Sequence, residues 1–341
     1  MLNSLYIKNY RNLEEVKIDS VAQVNLLCGR NNTGKTSVLE AIGIYASKGQ
    51  INFLDTLLNK RKEFFNSEDN KITPYLSLFT DNRFDFDTNN QIIVGDDDEV
   101  EISFQRYVDT ETKNENGDVV FRRKILNNNE IYDYPNYHAG FVINPSKIKN
   151  KFSEVFRMVN ATGRYDITNA QEFDRISLTE KKQFVIDALQ IIDPQIVDLS
   201  FIATANDKER KPFVRLFDSS QIFSLSRMGD GINRILTIIL AAVNCENGFL
   251  LIDEFENGLH YNIQKNLWKI IFEIAKKFNI QVFATTHDDD CIASFSKSLI
   301  DANNEVSGKL IQLYNENGKI IPTVFSSEEL EIITDQSIEI R

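Results

Sequence analysis

From Leu5 to Ile18 apolar and polar positions alternate, with a break near Asn9 to Asn12, so two extended segments are expected there. Val24 to Cys28 is a short, mostly apolar run that suits a buried strand. After Gly34 the interval lengthens to that of a helix, with Val38, Leu39, Ile42 and Tyr45 on one stripe. Residues 51–99 read as an apolar and basic helical stretch running into an Asn- and Asp-rich surface excursion that ends in Asp96, Asp97, Asp98 and Glu99. Alternation returns at Val100 to Val108 and Val119 to Leu126, either side of a polar turn, as in a hairpin of an antiparallel subdomain.

Residues 147–195 read as a helical insertion, with Ser177 and Glu180 spaced as a capping box ahead of Phe184, Val185, Ala188, Leu189 and Ile192. Strand-like pieces at Ile196 to Ala203 and Pro212 to Phe217 lead to a glycine-bearing turn. A helix then places Ile232, Ile235, Leu236, Ile239, Leu240 and Val243 on one face. Strand Gly248 to Ile252, a helix from Leu259 to Phe278 and strand Gln281 to Thr286 complete the pattern. Strands alternating with helices of this length predict an α/β fold with a largely parallel sheet, whose ligands gather at the C-terminal strand ends.

The chain has 341 residues, which suits one head (1–146 and 196–341) interrupted by the insertion at 147–195. Lys and Arg number 38 against 50 Asp and Glu, a net charge of -12 that argues against a general nucleic-acid coat. Any such contact would be local, at Lys60, Arg61 and Lys62 or at Lys147, Lys149 and Lys151, and a solvated helix face is the competing reading of both. No apolar run spans a bilayer and no signal-peptide core opens the chain, so a cytoplasmic protein without a membrane partner is expected. Cys28, Cys245 and Cys291 are too scattered for a disulfide framework or a zinc site.

Four local patterns carry chemistry. The segment Gly29, Arg30, Asn31, Asn32, Thr33, Gly34, Lys35, Thr36 fits G-x-x-x-x-G-K-[ST] between a strand and a helix. Its backbone N–H groups would curl around phosphate oxygens, Lys35 would neutralise the β- and γ-phosphates, and the Thr36 hydroxyl would ligate Mg2+. Strand Phe249 to Ile252 delivers Asp253 and Glu254, the first suited to hold the metal shell and the second to act as general base on water. His287 ends the next strand, where it could report the γ-phosphate. Ser226, Gly229 and Gly231 precede a helix, an anion site for a phosphate of the same or another chain, with an ordinary cap as the alternative.

In order along the chain, IKNYRNLEEVKI, GRNNTGKTSVLEAI, SRMGDGINRILTIILA, FLLIDEFENGLHYNIQKNLW, VFATTHDDD and SSEELEIITDQSIEIR resemble the ABC-type ATPases of the RecF, SMC and OLD kind, most closely short OLD-like ATPases without a Toprim nuclease. The resemblance implies an ABC-type P-loop head with an antiparallel β-subdomain. It makes Gly29 to Ser37 the Walker A segment, Asp253 and Glu254 Walker B, Ser226 to Gly231 the signature, and Glu256, Asn257, Gly258 and Leu259 the D-loop. His287 becomes the switch histidine, and Arg11 and Asn12 lie near the nucleotide.

It further implies ATP and Mg2+ as ligands and a homodimer in which each signature completes the partner's P-loop site. Two departures stand out: the signature is not LSGGQ, and Asp288 replaces the serine common after the histidine. Only 54 residues follow His287, so no nuclease is expected. By family analogy the dimer would regulate a separate protein effector, in antiphage defence or a toxin–antitoxin-like system. A RecF-like DNA clamp in repair is the alternative. The missing LSGGQ disfavours a transporter subunit, and the missing heptads disfavour a cohesion arm.

Overall fold

The computed structural model describes residues 1–63, 73–82, 91–96, 100–108, 115–125, 130–134, 155–161, 166–203, 210–219, 221–302, 305–326, 329–330 and 332. Its centre is a six-stranded sheet built on β3 (Val24–Cys28), β8 (Phe156–Val159), β12 (Phe249–Ile252), β13 (Gln281–Thr285), β14 (Gly308–Glu316) and β15 (Lys319–Phe325), in the order β15-β14-β3-β13-β12-β8. Every neighbouring pair is parallel except β14 with β15. Strands β3, β13 and β12 therefore lie side by side and deliver the turns after Cys28, Thr285 and Ile252 to one edge. The largely parallel sheet expected from the sequence is present.

Alternation along these strands divides the interior in two. Leu250, Ile252, Val282, Ala284 and Leu26 face a cluster covered by α6 (Asp230–Val243), α7 (Tyr261–Lys277) and α8 (Asp289–Asp301). Phe249, Leu251, Phe283 and Leu27 face the opposite way, onto α1 (Lys35–Ala46). Helix α1 is buried from Ser37 to Ala46, as expected of a helix apolar on nearly all sides. Each large apolar side chain fully buried here contributes about 1.5–3 kcal/mol.

On the far side of α1 lies an antiparallel sheet of β1 (Leu5–Tyr10), β2 (Leu13–Ile18), β4 (Ile92–Gly95), β5 (Val100–Val108), β6 (Glu115–Ile125) and β7 (Glu130–Tyr134), ordered β2-β1-β4-β5-β6-β7. The expected pairs β1–β2 and β5–β6 are both antiparallel, and β4 joins them into one sheet. A third sheet, β11-β10-β9, comprises β9 (Ile196–Ala203), β10 (Arg210–Leu216) and β11 (Ile222–Ser224).

Three expectations need correction. The stretch 147–195 is not helical throughout, because β8 pairs with β12 in the central sheet; residues 147–154 lie outside the described residues. Its helices α4 (Asp166–Ile176) and α5 (Lys181–Leu189) bury Phe173, Ile176, Val185 and Leu189 in the same cluster as α6 and β12. The capping box does not form: Ser177 Oγ donates to Asp174 O, and Thr179 Oγ1 is the acceptor of Lys181 N–H at the start of α5. Nor is 51–99 merely a surface excursion. Helix α2 (Ile51–Lys60), the short α3 (Thr73–Leu76) and β4 lead buried Leu54, Leu58, Leu78, Phe79 and Val94 into the α1 cluster. Residues 64–72, 83–90 and 97–99 of that stretch lie outside the described residues.

Candidate active site

The loop after β3 needs its glycines. Gly29 has φ +141°, and a Cβ there would sit 2.2 Å from Leu313 O of β14; Gly34 has φ +84°, with Leu13 2.7 Å from where a Cβ would be. Gly34 caps α1 without any side-chain hydrogen bond. The first-turn N–H groups of α1 are thereby left to an anion, and the helix dipole favours one. Lys35 Nζ donates to the carbonyls of Gly29 (2.7 Å) and Arg30 (2.8 Å). Burial lowers the Lys35 pKa, against the opposing pull of Cys28, Glu256, Asp253 and Glu254.

Asp253 is bonded from both sides. Thr36 Oγ1 donates to its Oδ1 at 3.0 Å and Thr285 Oγ1 to the same oxygen at 2.8 Å, while Thr285 Oγ1 also accepts Glu254 N–H at 2.8 Å. Asp253 N–H donates to Val159 O of β8. Glu254 has φ +49°, an uncommon conformation for a residue with a side chain, of the kind that clusters at functional sites. Its carbonyl accepts from Arg234 Nη2 at 2.9 Å, and the Asp253 carbonyl accepts from the same nitrogen at 2.7 Å. Arg234 stands in the second turn of α6 and is 6% exposed, so this helix grips the backbone of the two acids directly.

An open groove of about 1470 Å3 runs over these groups. Asn31, Asn32, Gly34, Lys35, Thr36, Ser37, Asp253, Glu254, Thr285 and His287 line it, together with Arg11 and Asn12. Gly29 and Thr33 do not; Thr33 is buried and donates to Arg30 O. Asn12 accepts from Ser37 Oγ at 2.9 Å and so braces the loop. The Arg11 guanidinium is held by Glu40 (2.9 Å) and Glu63 (2.9 Å). Burial opposes its charge, but Tyr10, Glu40 and Glu63 outweigh that and raise its pKa. It forms a neutralised wall of the groove.

Ser226, Gly229 and Gly231 are not among the lining residues. Ser226 and Gly229 are exposed, and Gly229 has φ +97°. A Cβ on Gly231 would lie 2.9 Å from Gly258 O, so the start of α6 abuts the turn 256–259 of the same chain. Within that turn the exposed Asn257 donates through Nδ2 to Ala161 O, and Glu256 accepts the backbone N–H of His287. Asp288, in the place of the usual serine, caps α8 by accepting Asp290 N–H.

Arg61 is paired with Glu40 at 2.8 Å and Lys60 bonds Asn160. Lys147, Lys149 and Lys151 lie outside the described residues. Cys28, Cys245 and Cys291 are all buried and free.

Reading of the sequence missed three groups that the structure brings to the site. Thr285 bonds both Asp253 Oδ1 and Glu254 N–H, and a hydroxyl at the end of an apolar strand was its signal. Arg234 carries no motif, and a lone cation within the apolar run Ile232 to Val243 is its one sequence signal. The Glu256–His287 pair joins residues 31 apart and had no local signal.

Residues 24–292 match the family described as "AAA domain, putative AbiEii toxin, Type IV TA system". The chain belongs to this family. It is an ATPase of the ABC type, and it binds nucleotide. Over 369 aligned residues it is 26% identical to an ATP/GTP phosphatase of Helicobacter pylori, covering 97% of each chain. It is also 26% identical to the DNA replication and repair protein RecF of Leptospira biflexa over 189 residues, 51% of this chain and 43% of that one. In architecture it is similar to an SMC head bound to the C-terminal winged-helix domain of ScpA, with a TM-score of 0.53, 12% identity, and 96% and 98% of the two chains covered. The neighbour bears out the ABC-type head.

Proposed function

We propose that this ATPase binds ATP between two copies of itself and that the resulting dimer acts as a switch on a separate protein effector. The observation that carries the reading is the division of the phosphate-binding parts. The P-loop, Asp253, Glu254 and His287 converge on one groove, whereas Ser226 and Gly229 are exposed away from it. A signature outside its own groove is placed to serve another chain's nucleotide.

Within each site Lys35 and the α1 N-terminus would hold the β- and γ-phosphates. Thr36 Oγ1 and the Asp253 carboxylate, 3.0 Å apart and both hard oxygen donors, fit Mg2+, which takes one or two protein oxygens and fills its shell with phosphate and water. When bound, that ion would neutralise charge on the phosphates. Among the described residues no cage of three or more His, Cys, Asp or Glu exists, in keeping with such a partly supplied shell. Glu254 takes the proton of the attacking water as its oxygen bonds the γ-phosphorus and the bond to the β-phosphate oxygen breaks. His287 faces the departing phosphate.

The effector role, within antiphage defence or a toxin–antitoxin-like system, is supported by the family's description and by the resemblance of the sequence motifs to OLD-like ATPases. The surface of α4 and α5 is where such a partner would dock. The RecF relatives favour a second reading, an ATP-gated DNA clamp, which the net charge of -12 and the paired Arg61 oppose. Among the described residues no helix is long and apolar enough to cross a membrane.

A mixing experiment tests the shared site. Lys35→Ala lacks a working P-loop but keeps its signature; Ser226→Arg alters an exposed signature position but keeps its P-loop. Each alone should be inactive, and an equimolar mixture should regain phosphate release. A mixture as inactive as its parts would rule the shared site out.

A further inference from the structure

The turns that follow β12 and β13 are joined by one carboxylate. Glu256 Oε1 accepts the backbone N–H of His287 at 3.0 Å, and the same oxygen lies 2.9 Å from Nδ1 of that residue. The two side chains sit in different surroundings: that of Glu256 is 9% exposed, that of His287 51% exposed and part of the groove wall. Glu256 Oε2 is buried and makes no hydrogen bond. A carboxylate shielded from water with one oxygen unbonded depends on the donors at its other oxygen. The N–H bonded to that oxygen and the imidazole nitrogen beside it both belong to His287.

A carboxylate oxygen 2.9 Å away favours a proton on Nδ1, which leaves Nε2 for the groove. This is not the default tautomer of a solvated imidazole; it is imposed by the acceptor. Glu256 also lies on the same turn as Glu254, whose backbone is held by Thr285 and Arg234. Base and imidazole are thus referenced to one short stretch of chain.

We infer that Glu256 is a positioning residue for hydrolysis, acting through His287 by fixing the tautomer and ring direction of the imidazole that meets the terminal phosphate. The inference rests on the groove being the ATP site. It assigns Glu256 a role inside its own subunit instead of the contact across the dimer that a D-loop position suggests.

The test uses Glu256→Ala and Glu256→Gln in the full chain, with steady-state ATP hydrolysis and nitrogen-15 NMR of the imidazoles. The chain has three histidines, at positions 138, 260 and 287, so single substitutions assign the signals. Wild type, at a pH where the imidazole is neutral, should show His287 protonated on Nδ1. Glu256→Ala should lose that signature and about 10- to 100-fold in kcat, the usual cost of removing the orienting partner of a working histidine, with KM for ATP little changed. Glu256→Gln keeps an acceptor in place and should restore most of kcat.

Wild-type turnover in Glu256→Ala, or an Nε2-protonated His287 in wild type, would overturn the inference. So would a Glu256→Gln protein as slow as Glu256→Ala. The NMR signature needs no turnover, so a failure of the pairing is distinguishable from a failure of the hydrolytic assignment.

Discussion

Helices α1 and α6 both begin at a glycine with positive φ, and they end in opposite circumstances. The start of α1 is furnished by its own chain: Lys35, the Thr36–Asp253 contact, Glu254 and His287 all gather on the groove it opens onto. The start of α6 has the same free backbone N–H groups and an exposed rim of Ser226, Arg227 and Gly229, which the groove does not include. One N-terminus opens onto a groove lined with acids, a cation and an imidazole; the other lies outside that groove. Backbone geometry alone therefore does not make a catalytic centre. The side chains delivered by neighbouring strands do.

The comparison can be broken most sharply at α1. Lys35→Ala removes the cation that faces the phosphates and should abolish binding of a fluorescent ATP analogue, measured by anisotropy. Glu254→Gln should keep that binding and lose about 10²- to 10⁴-fold in kcat, the range for a lost general base. Hydrolysis at the wild-type rate would remove Glu254 from the role. At α6 the effect should separate differently: Ser226→Arg should bind the analogue normally and fail to turn it over.

Smaller effects sharpen the link between the two helices. Arg234→Ala withdraws a charged donor from three backbone carbonyls, of Asn160, Asp253 and Glu254, and should lower stability by about 3 kcal/mol in urea unfolding. Arg234→Lys should recover part of it. Least of all, the cysteine near the P-loop should be silent. Burial pushes the Cys28 thiol up to about 12, so at pH 8 it stays protonated and native protein should not react with a thiol reagent until it is unfolded.

The parts of the site legible in the sequence were those written in consecutive residues. Gly29 to Thr36 carries loop, cation and hydroxyl within one turn of chain, and Asp253 and Glu254 follow their strand directly. Their adjacency in space required only that β3, β13 and β12 be neighbours in a parallel sheet. What stayed hidden depends on distant backbone. Strand β8 is four residues long with Arg157 in its middle, and it is a strand because β12 offers it a ladder. Strand β4 is equally short and bordered by polar residues, so its period could not be read. Strands β14 and β15 form a regular antiparallel pair that was not anticipated. Among the described residues Arg234 donates to the carbonyl oxygens of Asn160, Asp253 and Glu254, a kind of acceptor every residue possesses, so its sequence neighbours did not point to it. Arg11 was expected beside the nucleotide and does line the groove, but its charge is spent on Glu40 and Glu63.

The central claim is that ATP joins two copies of this chain through the signature of one and the P-loop of the other. Size-exclusion chromatography with light scattering on Glu254→Gln, with and without ATP and magnesium and with a DNA fragment in a parallel run, tests it directly. The account predicts a shift from the 39.2 kDa monomer to twice that mass with ATP alone. A protein that binds ATP and stays monomeric, or that assembles only when DNA is present, would contradict it.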